Sequence, residues 1–421
     1  MRKLKLFFES YKTPIFFSST ALIKAVAQLL VGFVIAKYIS PEDFGVWAGI
    51  SLLLTYSGLL QGGLINGLNL ELPLAFGKGK EKYAYFLAGT VQTSILFCSL
   101  FVFFGGLFYF IFSTESNPML SYGILGISFV GALTFYQNYL LSTFRSSSSF
   151  NKLSKIQIFD AFFNLLSIII VIKFLYYGLI VKSILSLSLF VLILHYNRPI
   201  KTSLVWDLRI FKRILFSGLP IFGLATLDSF SSTIDKLWLI KYADITEVGL
   251  YSFGFYGYTL FLLFSASVAS YVYPRMSYTY GKDNNRISLW KFVKKVTIFL
   301  FAIQISLSIL GIIVVPYIIS KFFPIYIDSI PVMLILLVAG VFKGSIVGVN
   351  SLWTMKIWKY IFLYQISNSS ITIFFTYLGT VYFLNKTIGV GLGVLFSNVL
   401  VFILGISLVY LATHRKNEIN L

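Results

Sequence analysis

The stretch AKYISPEDFGVW, residues 36–47, returns as IKYADITEVGLY at residues 240–251, an offset of 204 without gaps. Lys37-Tyr38 falls on Lys241-Tyr242, Asp43 on Glu247, and Gly45 on Gly249. The same offset carries Gly77-Lys78 onto Gly281-Lys282. Two separate matches at one offset mark an internal duplication. Much of the shared chemistry belongs to a helix start. Ser40 and Asp43 have the spacing of an N-cap and its reciprocal acid, with Pro41 at the first helical position, and Asp244 and Glu247 repeat that spacing. Capping rather than ligand binding is the expected role of both turns.

On either side of each copy the chain is apolar. The 421 residues are 57% hydrophobic and 12% charged, with mean hydropathy +0.85. A soluble protein carries about 25% charged residues. That excludes a cytosolic enzyme, a secreted domain and a disordered chain, and makes lipid the natural solvent. Apolar runs long enough to span recur over 14–37, 44–70, 84–112, 119–142, 156–176, 178–197, 215–240, 248–273, 292–315, 325–347, 359–384 and 388–412. In lipid every backbone polar group needs a partner, which leaves helices or closed barrels. These runs lack the period-two alternation of barrel strands, so helices are expected. The third and eleventh runs are long and predict tilt. Tyr177-Gly178 marks the boundary between the fifth and sixth, and Pro331 is placed to kink the tenth. The first run is longer than a signal-peptide core and no A-x-A-like site follows it, so it is expected to be retained.

The formal net charge is +19, from 34 Lys+Arg and 15 Asp+Glu. A nucleic-acid binder would gather that charge in one patch; membrane topology would distribute it to alternate turns. The even-numbered turns and both termini hold twenty-five of the 34 basic residues. The other turns, with Lys37, Lys173, Lys182, Lys241, Lys321 and Lys386, hold six; Lys24, Lys236 and Lys343 lie within runs. This asymmetry places both termini in the cytoplasm and removes the nucleic-acid reading. Six crossings in each repeat is an even number, so both copies enter from one side. The predicted fold is an all-α integral membrane protein. It has twelve transmembrane helices in two six-helix lobes, 1–200 and 201–421, related by a pseudo-twofold axis along the membrane normal and enclosing a central space.

The chain resembles the polysaccharide-exporter branch of the multidrug/oligosaccharidyl-lipid/polysaccharide flippase superfamily, in particular the Wzx-type O-antigen and capsule repeat-unit flippases. The resembling stretches are VGFVIAKYISPEDFGVW with the following NLELPLAFGKGKEK, and SGLPIFGLATLDSFSSTIDKLWLIKYADITEVGLYSFGFY with the following YVYPRMSYTYGK. The resemblance implies a two-lobed carrier in the bacterial inner membrane. Its cargo would be an undecaprenyl-diphosphate-linked oligosaccharide, moved from the cytoplasmic to the periplasmic leaflet. It also implies contact with membrane lipid, the polymerase and other polysaccharide-assembly proteins.

A charge at mid-bilayer costs about 2.5–3.5 kcal/mol on insertion scales, so it usually faces water or a partner. Lys24 in the first run and Asp228 in the seventh are separated by the repeat offset. Both are expected to line the central space; the competing reading has each snorkelling or bonded within its own lobe. Asp235 lies two helical turns beyond Asp228, with Ser231 and Ser232 between them, and should share its face. The resemblance matches Asp235 to the acidic residue usual in this segment. The bland alternative for it is an ion pair with Lys236 or another span. Lys343 lies among Gly340, Gly344 and Gly348, a ladder that permits close packing, as Gly58, Gly62, Gly63 and Gly67 do in the second run. It is a candidate for a diphosphate, with snorkelling as the alternative. Arg145, Asp160 and Arg275 are candidates for the cytoplasmic entrance, Asp160 as half of a gate pair. Topology alone also accounts for the two arginines.

The single cysteine, Cys98, has no partner, and neither His195 nor His414 has a second ligand at metal spacing. Gly389, Gly391 and Gly393 form a GxGxG without the strand or acidic residue of a dinucleotide site, so close packing is its expected role. No nucleotide-binding or hydrolase motif is present, so no cofactor is expected and any drive would come from a gradient of H+ or Na+. Two rivals remain: a drug or cation antiporter on the same fold, and a membrane-embedded polymerase. The antiporter would favour a net acidic lumen, and the polymerase a substantial outer loop.

Overall fold

A computed structural model describes residues 19–20, 23–114, 117–283 and 285–414. Every regular element among the described residues is a helix. In chain order these are α1 (Ile23–Ala36), α2 (Pro41–Ser57), α3 (Leu64–Gly77), α4 (Glu81–Phe112), α5 (Pro118–Ser146), α6 (Phe150–Leu166) and α7 (Ile168–Tyr196). There follow α8 (Leu208–Ser231), α9 (Ile234–Tyr242), α10 (Ile245–Asp283), α11 (Arg286–Phe322), α12 (Ile330–Ser345), α13 (Asn350–Thr354), α14 (Trp358–Tyr382) and α15 (Lys386–His414). Among the described residues nine helices are long and apolar enough to cross a membrane. α4 has 32 residues, or about 48 Å at 1.5 Å per residue, longer than the ~30 Å hydrocarbon layer. Its exposed face carries Phe97, Phe101, Phe104 and Phe108, while Ala84, Ala88 and Gly89 are turned inward. Large apolar side chains on the outside and small ones inside suit a lipid solvent.

The helix starts follow local chemistry. Ser40 Oγ accepts from the Asp43 amide at 3.1 Å, the expected cap with Pro41 behind it. Asn117 caps α5, accepting from the Met119 amide, and Asn285 caps α11, accepting from Ile287 and Ser288. Pro331 starts α12 rather than kinking it, after a 3₁₀ turn over Pro324–Ser329.

Several expected crossings arrive in pieces. The second run breaks at Gly62-Gly63, whose φ values are 54° and 90°, between a 3₁₀ turn and α3. These two glycines end a helix, and a Cβ on Gly58 would touch nothing, so the expected ladder is only partly formed. Gly63 and Gly67 pack closely on α8, against Ile214, Gly218 and Phe222. The seventh run breaks at Ser232-Thr233, between α8 and α9. There Ser231, Ser232 and Thr233 turn their hydroxyls to the carbonyls of Leu227, Ser229 and Ser229, competing with the helix for its own acceptors. The fifth and sixth runs part at Leu175, with φ 49° and ψ −124°, two residues before the expected Tyr177-Gly178 boundary. The chain doubles back there. A Cβ on Gly178 would strike the Ile170 carbonyl, so only glycine lets the two arms close.

The chain forms two compact units. Unit 1 takes residues up to Ile39 together with Val46–Thr226; unit 2 takes Ser40–Gly45 and everything from Leu227. Unit 1 therefore extends past the expected division after residue 200, because the first part of α8 packs on α3 through Gly67 and Gly218. Its core joins α3, α4, α5 and α7 through Leu68, Leu87, Val91, Phe135, Tyr139 and Leu194. In unit 2, α14 lies along α15, and α12 packs on α10, α11 and α15. Gly379 meets Gly389 backbone to backbone, and Gly393 meets Phe375, so the GxGxG is a packing seam. Gly340, Gly344 and Gly348 seat Phe261, Gln304 with Ser265, and Val293. The repeated turns meet each other in this unit: a Cβ on Gly45 would strike the Ile245 carbonyl, and one on Gly249 the Pro41 carbonyl.

Candidate functional site

Unit 1 holds a chain of four polar side chains inside apolar helices. Lys24 Nζ of α1 lies 2.6 Å from Asp160 Oδ2 of α6 and 4.1 Å from the centre of the Phe190 ring of α7. Asn164, one turn along α6, donates through Nδ2 to Asp160 Oδ1 at 3.1 Å. Its Oδ1 accepts from Lys182 Nζ of α7 at 3.2 Å. The amide can lie only this way round, nitrogen to carboxylate and oxygen to ammonium. Asp160 and Lys182 are buried, while Lys24 keeps 19% of its side chain exposed. Lys182 was expected in an outer turn; because the chain reverses at Leu175, it sits inside α7 instead. Two ammoniums and one carboxylate thus lie in one chain, Lys182 linked to Asp160 through Asn164, which leaves a net positive charge where hydrocarbon would otherwise exclude it.

In unit 2 the candidate residues fall into two polar groups. At one, Asp228 Oδ1 of α8 accepts from Gln365 Nε2 of α14 at 3.2 Å, and Asn368 Oδ1, one turn on, accepts from Lys343 Nζ of α12 at 3.2 Å. Asp228 is exposed and Asn368 is buried. α14 thereby brings two candidates, Asp228 and Lys343, to one face. Lys24 and Asp228 each have their bonded partner inside their own unit. At the second group, Asp235 of α9 is buried and accepts from Tyr251 Oη of α10 at 2.5 Å and from the Lys236 amide at 2.8 Å. The Lys236 ammonium lies over the Phe255 ring, 5.1 Å from its centre. Asp228 and Asp235 do not share a face: the break at Ser232-Thr233 interrupts the helical repeat, leaving one exposed and the other buried.

The entrance candidates separate. Arg145 is exposed and donates from Nε to the Leu141 carbonyl of its own helix at 3.2 Å. Asp160 belongs to the unit 1 chain described above. The side chain of Arg275 lies outside the described residues. His195 bonds the Tyr136 hydroxyl at 2.7 Å, and His414 stacks on Tyr410. Among the described residues no three His, Cys, Asp or Glu side chains gather where they could hold a metal.

Asn164, Lys182, Gln365 and Asn368 escaped the sequence reading, although one signal was available. The offset of 204 that relates Lys24 to Asp228 also relates Asn164 to Asn368 and Asp160 to Tyr364. Each asparagine accepts from a lysine ammonium at 3.2 Å, yet the lysines, Lys182 and Lys343, are not related by that offset. The duplication kept the acceptor and changed the donor.

The profile of the polysaccharide biosynthesis protein family matches residues 34–327. No curated protein matches the sequence. Among solved structures, the chain is similar to a multidrug resistance MATE family transporter of the MOP superfamily in its inward-facing conformation. The TM-score is 0.77 and the identity 14%, over 93% of this chain and 94% of that one. A structure of such a transporter in the outward-facing conformation gives a TM-score of 0.63 at 14% identity, over 96% and 97%. A Vibrio cholerae MATE transporter gives 0.63 at 15%, also over 96% and 97%. These identities establish the fold alone. The chain is a multi-pass integral membrane protein that belongs to the polysaccharide biosynthesis protein family, and its fold is similar to that of MATE family transporters.

Proposed function

We propose that this protein is a flippase. It moves an undecaprenyl-diphosphate-linked oligosaccharide repeat unit from the cytoplasmic to the periplasmic leaflet of the bacterial inner membrane by alternating access, driven by a gradient of H+ or Na+. The reading includes twelve crossings, six in each lobe, with both termini cytoplasmic. The observation that carries it is the unit 1 cluster, where Lys24 pairs with the single carboxylate of Asp160 and Lys182 is joined to it through Asn164. A net cation held within apolar helices suits an anionic head group. The family match supplies the glycan. A hydroxyl without a partner in hydrocarbon costs several kcal/mol and a diphosphate far more, so such a cargo needs a shielded polar path while its lipid tail stays in the bilayer.

In this reading Lys24 and Lys343 hold the diphosphate, and Asp228 or Asp235 exchanges partners with the coupling cation. A strain lacking the gene is expected to accumulate lipid-linked repeat units in the cytoplasmic leaflet, and normal surface glycan in that strain would refute the reading. A drug or cation antiporter is the second reading. It is favoured by the fold likeness to multidrug resistance transporters. Drug susceptibility rising in the deletion strain while glycan export stays intact would select it.

A further inference from the structure

A concave groove of about 220 Å³ opens on unit 2, and none of Asp228, Asp235 and Lys343 lines it. One wall is the first turns of α11, with Trp290, Val293, Thr297 and Ile298; the other is the end of α15, with Ile406 and Val409. Its floor is the 3₁₀ turn over Ile346–Val349. Two glycines clear this space: Gly348 lets Val293 approach, and Gly405 lets Ile346 and Val349 approach. The lining is apolar almost throughout, as suits a hydrocarbon chain.

The mouth has the opposite character. Lys294 lines the groove, and Lys291 and Lys295 lie within one turn of it on α11. All three are exposed, and among the described residues none has an ion-pair partner. At the same end Trp290 meets Tyr410 and His414 edge-on, with ring centres 5.4 Å and 6.0 Å away. Tryptophan and tyrosine concentrate at the head-group level of a bilayer. Three cations therefore sit at the interface, with an apolar channel leading inward from them. Ordinary lipid-facing surface is convex and uncharged; this one is recessed and carries a cationic lip.

We propose that this groove is a binding site for an anionic glycerophospholipid, with one acyl chain between α11 and α15 and the phosphate at Lys291, Lys294 and Lys295. The site is separate from the residues assigned to cargo and does not depend on that assignment. Basic pockets between helices recognise anionic head groups by this combination of charge and adjoining hydrocarbon.

Photoreactive phosphatidylglycerol, added to the purified full-length chain in detergent and mapped by peptide mass spectrometry, tests this. Labelling is expected within 290–298 or 405–409, with competition by unlabelled phosphatidylglycerol and not by phosphatidylcholine. Replacing the three lysines by alanine (K291A, K294A and K295A together) should weaken apparent affinity by about a hundredfold. Ile298 is 58% exposed, so Ile298→Trp fills the groove without entering the core and should block labelling while the elution profile stays that of the native chain. Three outcomes overturn the proposal: equal competition by phosphatidylcholine, stronger competition by a polyprenyl phosphate, or labelling unchanged in both variants.

Discussion

Replacing Asp160 by asparagine removes the one carboxylate in a chain that joins the half-buried Lys24 and the buried Lys182. In the native protein Lys24 lies 2.6 Å from Oδ2, and Lys182 reaches the same carboxylate through Asn164. Asp160→Asn keeps the size of the side chain but strands Lys24 against the Phe190 ring, a contact worth roughly 0.5–2 kcal/mol. It also leaves Lys182 bonded to a neutral amide. Removing one member of a buried pair costs about 3–5 kcal/mol. Because Lys24 keeps 19% of its side chain exposed, the lower end applies, about 3 kcal/mol. The combined variant Lys24→Met/Asp160→Asn removes the stranded charge and should recover about 2 kcal/mol of that loss. The recovery falls short of complete because Lys182 still lacks its counter-charge. Equilibrium unfolding of the purified protein in mixed micelles, run on both single variants and the combined one, reads the coupling directly. A loss below about 1 kcal/mol for Asp160→Asn, or costs that simply add in the combined variant, would refute the assignment of Asp160 as the carboxylate of this chain.

Asp228→Asn keeps a hydrogen-bonding partner for Gln365 but loses the charge; glycan export in a complemented deletion strain should fall sharply, and normal export would count against a role in coupling. Tyr251→Phe deprives the buried Asp235 carboxylate of its hydroxyl donor and leaves it to backbone amides such as that of Lys236. It should destabilise the protein by about 1–3 kcal/mol, an effect that Asp235→Leu in the same chain should largely cancel if the pair acts as a unit. Gly45→Ala and Gly249→Ala each place a methyl group on a facing carbonyl. Each should cost about 1–3 kcal/mol by overpacking, and a melting temperature equal to that of the native protein would show that the two turns do not pack as described.

Some of this architecture could be read from the residues because the physics behind it is local. Spans such as 84–112 and 388–412 need only twenty or so apolar residues in sequence, and α4 and α15 appear where those runs lie. Ser40, Asp43 and Pro41 state a helix start within four residues, and Ser40 caps as its spacing implies. Breaks were harder to read. The seventh run looks continuous in hydropathy and ends at Ser232-Thr233 because hydroxyls there compete for backbone acceptors. The fifth run turns at Leu175, a residue that would ordinarily favour helix, where a reversal is held by the packing of Gly178 on Ile170.

The sequence by itself determined that the chain is helical, lies in a membrane and is duplicated at an offset of 204, since hydropathy, charge alternation and repeats are properties of neighbours along the chain. It also singled out Lys24, Asp228, Asp235, Lys343 and Asp160 as charges that needed a reason to be there. Only the tertiary structure decided their partners. Lys24 and Asp160 are 136 positions apart in sequence and 2.6 Å apart in space, and Asp228 meets Gln365 across a comparable span. An ion pair or hydrogen bond depends on ångström-scale distance between helices, and that distance is set by glycine seams and helix breaks summed over the whole unit, not by any residue's own neighbours.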